Sequence, residues 1–236
     1  MLNNRRVTAI VVAGGMGSRM SAAVPKQFML LGGRPVLQWS LECFAGLDLV
    51  DELILVLPAD RITEGQSLLT EFFAGKPFNI VAGGTRRQDS VMNGLSAAKD
   101  GWIMVHDAAR PGMTMNLARS ALLKAEQCGN AVCALASTDT LVKANGGRIV
   151  APLDRSEVYR LQTPQIFRRD ALLAALAHAR AHDLAVTDES SIMAKLGHEI
   201  FLAEGSELNN KITCPNDLAV LEILLAGQLK QQQVKK

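Results

Sequence analysis

The sequence predicts an α/β protein with a mostly parallel sheet, and three observations indicate this fold class. Apolar runs of strand length alternate with segments of helical spacing as far as residue 136, which is the pattern of βαβ units. The runs are rich in β-branched residues, as strands buried on both faces are. The chain has 236 residues, of which 48% are hydrophobic and 20% charged, so it can bury a full core.

Each predicted element follows from the spacing of apolar residues and from the turn signals around it. The predicted strands are Val7–Ala13, Glu52–Leu57, Phe78–Ala82, Trp102–His106 and Ala131–Ala136. The predicted helices are Val36–Phe44, Ile62–Phe73, Ser90–Lys99, Leu117–Gln127, Asp170–Ala181, Asp188–Leu196 and Asn216–Leu225.

The pattern changes after Ser137. Residues 138–162 contain short β-like pieces, many polar side chains and a turn sequence, Asn145-Gly146-Gly147. This composition predicts a protruding β-hairpin arm rather than another βαβ unit. An arm of this length packs on its own domain or reaches a partner subunit.

Composition excludes several classes of function. The net charge of +2 is too small to indicate nucleic-acid binding, and no apolar run approaches the ~20 residues that span a bilayer. The basic start and the apolar residues 7–13 resemble a signal peptide, but they lead into glycines and are interpreted as a strand. The four cysteines lack Cys-x-x-Cys spacing and are expected to be free thiols. We therefore expect a cytoplasmic protein with no membrane or nucleic-acid partner and no protein-held metal.

The first strand leads into a glycine-rich turn, Gly14-Gly15-Met16-Gly17-Ser18-Arg19-Met20. Glycines at such a turn let backbone N–H groups approach a phosphate. A dinucleotide fingerprint needs a third glycine where Met20 stands, and a Walker A loop needs Lys-Ser/Thr where Arg19-Met20 stands. A glycine turn followed by Arg19 and Lys26 instead suits a triphosphate, whose α-phosphate gains charge as it is attacked.

Two residues lie at the end of the strand predicted at 102–106. Asp107 lies at the carboxyl edge of the sheet, where open α/β sheets bind ligands, and this position favours a functional role over a turn cap. His106, one residue earlier, is interpreted as a structural, hydrogen-bonded residue.

Several motifs together resemble one known family. AGGMGSRM at 13–20 with PKQF at 25–28 resembles the opening of nucleotidyltransferases with the glycosyltransferase-A-like fold. Five further motifs resemble the methylerythritol phosphate cytidylyltransferases: GGTRRQDS at 83–90, HDAARP at 106–111, TPQ at 163–165, TDE at 187–189 and NNKIT at 209–213. The motifs extend over nearly the whole chain in the family's order. Thr85 stands where relatives often have aspartate.

The resemblance implies a single nucleotidyltransferase domain over residues 1–236, with a Rossmann-like sheet and a dimerising arm at about 138–162. It implies transfer of CMP from CTP to 2-C-methyl-D-erythritol 4-phosphate in the non-mevalonate isoprenoid pathway, with Mg²⁺ held mainly by the CTP phosphates. Because a phosphate monoester is already a nucleophile, the chemistry needs positioning and charge neutralisation rather than a strong base.

The resemblance also implies the site residues. The catalytic residues would be Arg19, Lys26, Arg155 and Lys211. The nucleotide would contact Ala13, Gly14, Gly15, Gly17, Gly84, Thr85, Arg87, Ser90, Asp107 and Ala108. The sugar-alcohol phosphate would contact Asp107, Arg110, Thr140, Arg155, Thr187 and Lys211. Of these, Thr140 and Arg155 would reach the substrate bound by the partner subunit of a homodimer.

Alternatives remain open at this point. A ribitol 5-phosphate cytidylyltransferase would share the nucleotide half, although the alanines of HDAARP favour the methylerythritol enzymes. A nucleotidyltransferase that uses GTP or UTP is a more distant alternative. A catalytically silent nucleotide-binding module is disfavoured, because such relatives usually lose a charged catalytic residue.

Overall fold

A computed structural model describes residues 2–14, 25–73 and 75–234 of the chain, with side chains as far as residue 225. The strands are β1 (Arg6–Val12), β2 (Leu30–Leu31), β3 (Arg34–Pro35), β4 (Glu52–Leu57), β5 (Phe78–Ala82), β6 (Gly101–Asp107), β7 (Ala131–Ala136), β8 (Val142–Asn145), β9 (Arg148–Pro152), β10 (Tyr159–Arg168) and β11 (Leu202–Glu204). The α-helices are α1 (Val36–Gly46), α2 (Ile62–Phe72), α3 (Arg87–Ala97), α4 (Met115–Cys128), α5 (Arg169–Ala181), α6 (Glu189–Lys195) and α7 (Pro215–Val234).

The central sheet has the strand order β11-β7-β10-β6-β1-β4-β5. Neighbouring strands are parallel except where β10 pairs with β6 and with β7. In the middle of the sheet, Val11 of β1 lies between Leu55 of β4 and His106 of β6. The prediction of a mostly parallel sheet is therefore confirmed.

Helices cover both faces of the sheet, which explains the near-continuous apolar strands. Alternate residues of β1 face opposite sides: Val11 packs in the cluster formed with α1, α2 and α4, whereas Ile10 packs in the cluster formed with α3, α5 and α6. A third cluster joins α7 to the β2–β3 hairpin through Leu221, Leu31 and Ile212.

The five predicted strands and seven predicted helices are present, and their ends lie within three residues of the prediction apart from the end of α7. The last helix continues to Val234, nine residues beyond its predicted end at Leu225. Strands β2, β3 and β11 were not predicted, because two or three residues carry too little periodicity.

The arm is shorter than the predicted 138–162. Its two strands, β8 and β9, turn at Gly146 and Gly147, whose φ angles of 55° and 76° suit a tight hairpin turn. Residues from Tyr159 onward instead belong to β10 in the central sheet, where Tyr159 pairs with Ala136. The arm exposes large apolar side chains, notably Ile149 at 72% and Val150 at 59%.

Strand β10 was not predicted as a strand of the central sheet, because several of its buried residues are polar. Gln162, Thr163 and Gln165 are at most 5% exposed, and each hydrogen-bonds to a segment outside β10. Polar side chains at core positions remove the hydrophobic pattern by which strands are predicted. The strand is thus built to hold other segments as well as to fill the core.

Gly112 allows two backbone segments to meet. A Cβ atom at Gly112 would lie 1.7 Å from the carbonyl oxygen of Leu208, in the segment that leads to Lys211. A Cβ atom at Gly46 would instead lie 2.8 Å from the sulfur of Met115, which is half-exposed and can move.

We predict that Gly112→Ala lowers the free energy of unfolding by about 2–3 kcal/mol, since one of the two backbones must shift to relieve the overlap. Gly46→Ala adds the same methyl group within a helix and should leave stability unchanged or slightly raised. Urea unfolding of both variants tests this, and equal stabilities would contradict the close approach.

Candidate active site

Several of the predicted site residues collect at the carboxyl edge of the parallel strands. Ala13 and Gly14 follow β1, Gly83 and Gly84 follow β5, and Asp107 ends β6. The loops that leave neighbouring parallel strands at this edge converge, which is why ligands bind there in open α/β sheets.

The turn after β1 touches the loop after β5. A Cβ atom on Gly14 would lie 3.0 Å from the Ser90 hydroxyl oxygen and 3.4 Å from the Cα atom of Gly83. That hydroxyl accepts a hydrogen bond from the backbone N–H of Gly84, at 3.0 Å. The structure therefore brings Gly14, Gly84 and Ser90 together, and a side chain at position 14 would crowd the Ser90 hydroxyl.

Four charged side chains alternate in sign across the site. Glu189 accepts two hydrogen bonds from Arg87, at 2.6 Å to Nη1 and 3.1 Å to Nη2. The Nε atom of Arg87 donates to Asp107 Oδ1 at 2.9 Å. The second oxygen of Asp107 accepts from Nζ of Lys211 at 2.6 Å. We call these four residues the charge row.

The two inner residues of the charge row, Arg87 and Asp107, are held in their ionised forms by their charged neighbours. Burial opposes the charge on Asp107, but Arg87 and Lys211 outweigh burial and hold the pKa of that carboxyl well below its usual range. Burial likewise disfavours the charged Arg87, whereas Asp107 and Glu189 raise its pKa above the usual value. Both groups therefore remain charged at neutral pH.

A buried histidine supports Asp107 from the sheet side. The Thr163 hydroxyl accepts from the backbone N–H of Asp107 at 3.1 Å and lies 3.0 Å from Nδ1 of His106. Nε2 of His106 lies 3.3 Å from the carbonyl oxygen of Arg110. A neutral ring protonated on Nε2 satisfies both contacts, because Nδ1 then accepts from Thr163. Burial lowers the pKa of His106 to about 3, so the ring is neutral. The prediction that His106 is a hydrogen-bonded residue is confirmed.

Lys26 lies beside the segment that carries Lys211. Its Nζ atom donates to the carbonyl oxygen of Ile212 at 2.8 Å. Ile212 in turn donates its backbone N–H to the carbonyl oxygen of Ala109, at 2.8 Å. The next side chain, buried Gln27, donates to the carbonyl oxygen of Ala13 at 2.6 Å. These bonds draw the turn at 26–28, the end of β1 and residues 211–212 to one place.

Arg110 is buried under the site. Its guanidinium donates to the carbonyl oxygen of Asn209 at 2.8 Å and to that of Leu161 at 3.4 Å. Its Nε atom is buried without a hydrogen-bond partner among the described residues. Desolvation lowers the pKa of Arg110. The predicted contact of Arg110 with the acceptor stays a prediction.

Other predicted residues are not part of this assembly in the single chain. Thr85 and Thr187 are exposed, and Thr140 and Arg155 are exposed residues that flank the strands of the arm. Ala108 lies at the site, where its backbone N–H donates to the carbonyl oxygen of Val12 at 3.0 Å. Three further predictions, Gly15, Gly17 and Arg19, lie outside the described residues.

Three residues of the assembly, Glu189, Thr163 and Gln27, were not predicted from the sequence. Each stands in one of the resembling motifs, so motif membership was the available signal. Their roles depend on contacts with residues up to 102 positions away in the sequence, which spacing along the chain does not reveal. The neighbouring arginines also differ: Arg86 pairs with Asp89 and Asp183 at the surface, whereas Arg87 enters the site.

The described part of the chain contains neither a cluster of metal-ligating side chains nor a membrane-spanning helix. Within it, no three histidine, cysteine, aspartate or glutamate side chains are grouped as a metal site. None of its helices combines the length and the apolar character needed to cross a bilayer. Lys211 and Lys26 place ammonium groups at the carboxyl edge of the sheet, and such groups suit the binding of anions.

Known proteins are similar to this chain over nearly its whole length. A profile of the 2-C-methyl-D-erythritol 4-phosphate cytidylyltransferase family matches residues 7–227. The enzyme of that name from Clostridium acetobutylicum is 38% identical over 220 residues, which cover 92% of this chain and 96% of the relative.

Two solved structures with related sequences have the same fold as this chain. The 4-diphosphocytidyl-2C-methyl-D-erythritol synthase from Anaerococcus prevotii has a TM-score of 0.83 at 25% identity, covering 94% of this chain and 99% of that one. The 2-C-methyl-D-erythritol 4-phosphate cytidylyltransferase from Thermus thermophilus has a TM-score of 0.76 at 32% identity, covering 93% and 98%. The chain shares the nucleotidyltransferase fold of these structures.

We predict that His106 makes the protein sensitive to mild acid. The unfolded chain takes up a proton near pH 6.5, which the folded protein excludes down to about pH 3. Stability is therefore lost as the pH falls below 6.5, by about 2 kcal/mol from His106 between pH 7 and pH 5. His106→Asn keeps an acceptor for Thr163 and does not titrate. Its free energy of unfolding, measured in urea at both pH values, should fall by about 2 kcal/mol less than that of the wild type; equal losses would exclude His106 as the cause.

Proposed function

The chain belongs to the 2-C-methyl-D-erythritol 4-phosphate cytidylyltransferase family, and on that premise we propose that it transfers CMP from CTP to 2-C-methyl-D-erythritol 4-phosphate. The products are 4-diphosphocytidyl-2-C-methyl-D-erythritol and pyrophosphate, in the non-mevalonate isoprenoid pathway. The observation that carries the proposal is the charge row at the sheet edge, with Lys26 beside it. This placement suits a reaction between two phosphate groups.

The reaction is the attack of an acceptor phosphate oxygen on the α-phosphorus of CTP. A new P–O bond forms, and the bond to the β-phosphate breaks with its electrons leaving on pyrophosphate. The attacking oxygen is already anionic near neutral pH, so no side chain needs to remove a proton. The obstacle is the repulsion between two anions, and fixed cations lower it as charge builds on the α-phosphate.

Lys211 is the described cation best placed for the acceptor phosphate. Its ammonium is oriented by Asp107, yet the side chain remains 34% exposed and open to a ligand. Lys26, tied to the neighbouring Ile212 carbonyl, is proposed for the CTP phosphates together with Arg19. When both reactants are held in this way, the entropy of bringing two free molecules together is lost on binding and no longer adds to the barrier of the chemical step.

The glycine contact between the two loops is proposed as the nucleotide site. Ala13, Gly14 and Ala108 follow the ends of β1 and β6, Gly84 lies in the loop before α3, and Ser90 lies in the first turn of α3. Small residues leave room for a ribose and a flat base beside backbone groups. Gly15, Gly17, Thr85 and Arg87 complete the proposed set.

Mg²⁺ is proposed as a companion of the nucleotide. Both carboxylate oxygens of Asp107 already accept from cations, so the residues at hand fit an ion held by phosphate oxygens and water. When bound, the ion neutralises phosphate charge. This chain's residues would orient the phosphates that carry it.

A homodimer through the arm is supported by the exposed apolar residues of that arm. Ile149 and Val150 would lose their contact with water against a second copy. Thr140 and Arg155 flank the arm's strands, so a swapped arm would bring them toward the acceptor bound by the other subunit. There the acceptor would also contact that subunit's Arg110, Thr187 and Lys211.

We propose the cytoplasm as the location.

We predict that the protein releases pyrophosphate from CTP and Mg²⁺ with 2-C-methyl-D-erythritol 4-phosphate and not with ribitol 5-phosphate. Lys26→Ala should lower turnover about 10²–10³-fold, the scale of a lost transition-state donor. Lys76→Ala is the matched control, since Nζ of Lys76 also donates to a backbone carbonyl, that of Leu47 at 2.7 Å. Release with ribitol 5-phosphate alone would replace the acceptor, and no release with either would overturn the proposed activity.

We predict that two inactive variants complement each other in mixed dimers. The Arg155→Ala and Lys26→Ala variants are co-refolded in equal amounts, so that half of the dimers contain one subunit of each. If Arg155 acts across the dimer, one site of each heterodimer is intact and the other lacks both residues. About a quarter of wild-type activity should return. Lys26→Ala mixed with Lys211→Ala should recover nothing, because both act within their own subunit. Absence of recovery in the first mixture would place Arg155 outside the partner's site.

A further inference from the structure

We propose that Glu189 is a positioning residue that fixes Lys211 for the acceptor phosphate, acting through Arg87 and Asp107. The inference rests on the proposed function, because it concerns the lysine assigned to the acceptor. The geometry that carries it is the charge row, in which Glu189 is the end farthest from Lys211.

Glu189 is itself rigidly held. It is the first residue of α6 and is 0% exposed. The preceding Asp188 caps the helix by accepting from the backbone N–H of Ser191 at 2.8 Å. The following Ser190 donates its backbone N–H to Oε1 of Gln165 in β10, at 2.9 Å. The backbone around Glu189 is thus held by the helix cap on one side and by the central sheet on the other.

Glu189 determines how Arg87 faces Asp107. Two donors of the guanidinium bind Glu189 and a third, Nε, binds Asp107. The guanidinium is planar, so fixing two donors fixes the direction of the third. Asp107 consequently offers one oxygen to Arg87 and keeps the other for Lys211.

Charge balance gives Glu189 a second effect. The two carboxylates and two cations of the charge row sum to zero. Without the charge of Glu189, two cations compete for the carboxylate of Asp107. A free guanidinium binds a carboxylate through two parallel hydrogen bonds, which would occupy both oxygens. Lys211 is the more exposed cation, at 34% against 24% for Arg87, and would turn to solvent.

The first test is Glu189→Gln, which keeps the shape and removes the charge. We expect kcat/KM for the acceptor to fall about 10–100-fold, the scale of a misplaced reacting group. Glu52→Gln is the matched control, because Glu52 is also buried and paired with an arginine, Arg6, but lies at the opposite end of the strands. It should change thermal stability and leave kcat/KM unaltered.

A double-mutant cycle separates positioning from a merely structural role. If Glu189 acts through Lys211, then Glu189→Gln should cost less than about twofold in the Lys211→Ala background. The same loss in both backgrounds would overturn the proposal, and so would an unchanged kcat/KM in the single variant. Should Glu189→Gln fail to fold, Glu189→Asp keeps the charge, shortens the side chain and enters the same cycle.

A measurement without substrate keeps this proposal distinct from the proposed function. Acetylation of Lys211, followed by peptide mass mapping, reports whether its amine is tied to Asp107. In Glu189→Gln the labelling rate should rise at Lys211 and stay constant at the exposed Lys195. An unchanged rate at Lys211 overturns the positioning role even in an active enzyme. A raised rate supports it even if the wild type proves inactive with 2-C-methyl-D-erythritol 4-phosphate.

Discussion

The site depends on the pairing of the buried Asp107 carboxylate with Arg87 on one side and Lys211 on the other. A charge with 7% of its residue exposed is tolerated only where cations and hydrogen bonds replace water. The structure supplies both, because the side chain binds two cations and the backbone N–H binds Thr163. Removing any one partner leaves buried charge or a buried donor unsatisfied, so the surrounding segments are constrained together.

Strand β10 is the frame that holds those segments. It is the strand of the central sheet that runs antiparallel to its neighbours, and it brings three polar side chains into the interior. Gln162 binds the backbone of Ser206, Thr163 binds that of Asp107, and Gln165 binds that of Ser190. One strand therefore sets the positions of the segment before Lys211, the end of β6 and the start of α6.

The same polar residues explain what the sequence could and could not predict. Strands such as β4 and β6 bury apolar runs on both faces, and hydrophobic pattern is enough to predict them. Asp107 was predicted from its place at a strand's carboxyl end. The role of Glu189 could not be predicted from the residue pattern, because a buried glutamate and a surface glutamate look alike in a sequence; its place in the TDE motif was the available signal. Its role appears only when the fold brings it to Arg87, 102 positions away.

The charge row also resolves an energetic problem of anion-binding enzymes. Cations gathered at one place repel each other and resist burial before the substrate arrives. Here Arg87 is neutralised on both sides by carboxylates and needs no substrate to remain in place. Lys211, at the open end of the charge row, pairs with one carboxylate among the described residues, that of Asp107, and its side chain is partly exposed. In the proposed reaction, the acceptor phosphate therefore meets a cation that is already oriented by Asp107, and Lys211 does not have to be reoriented when the substrate binds.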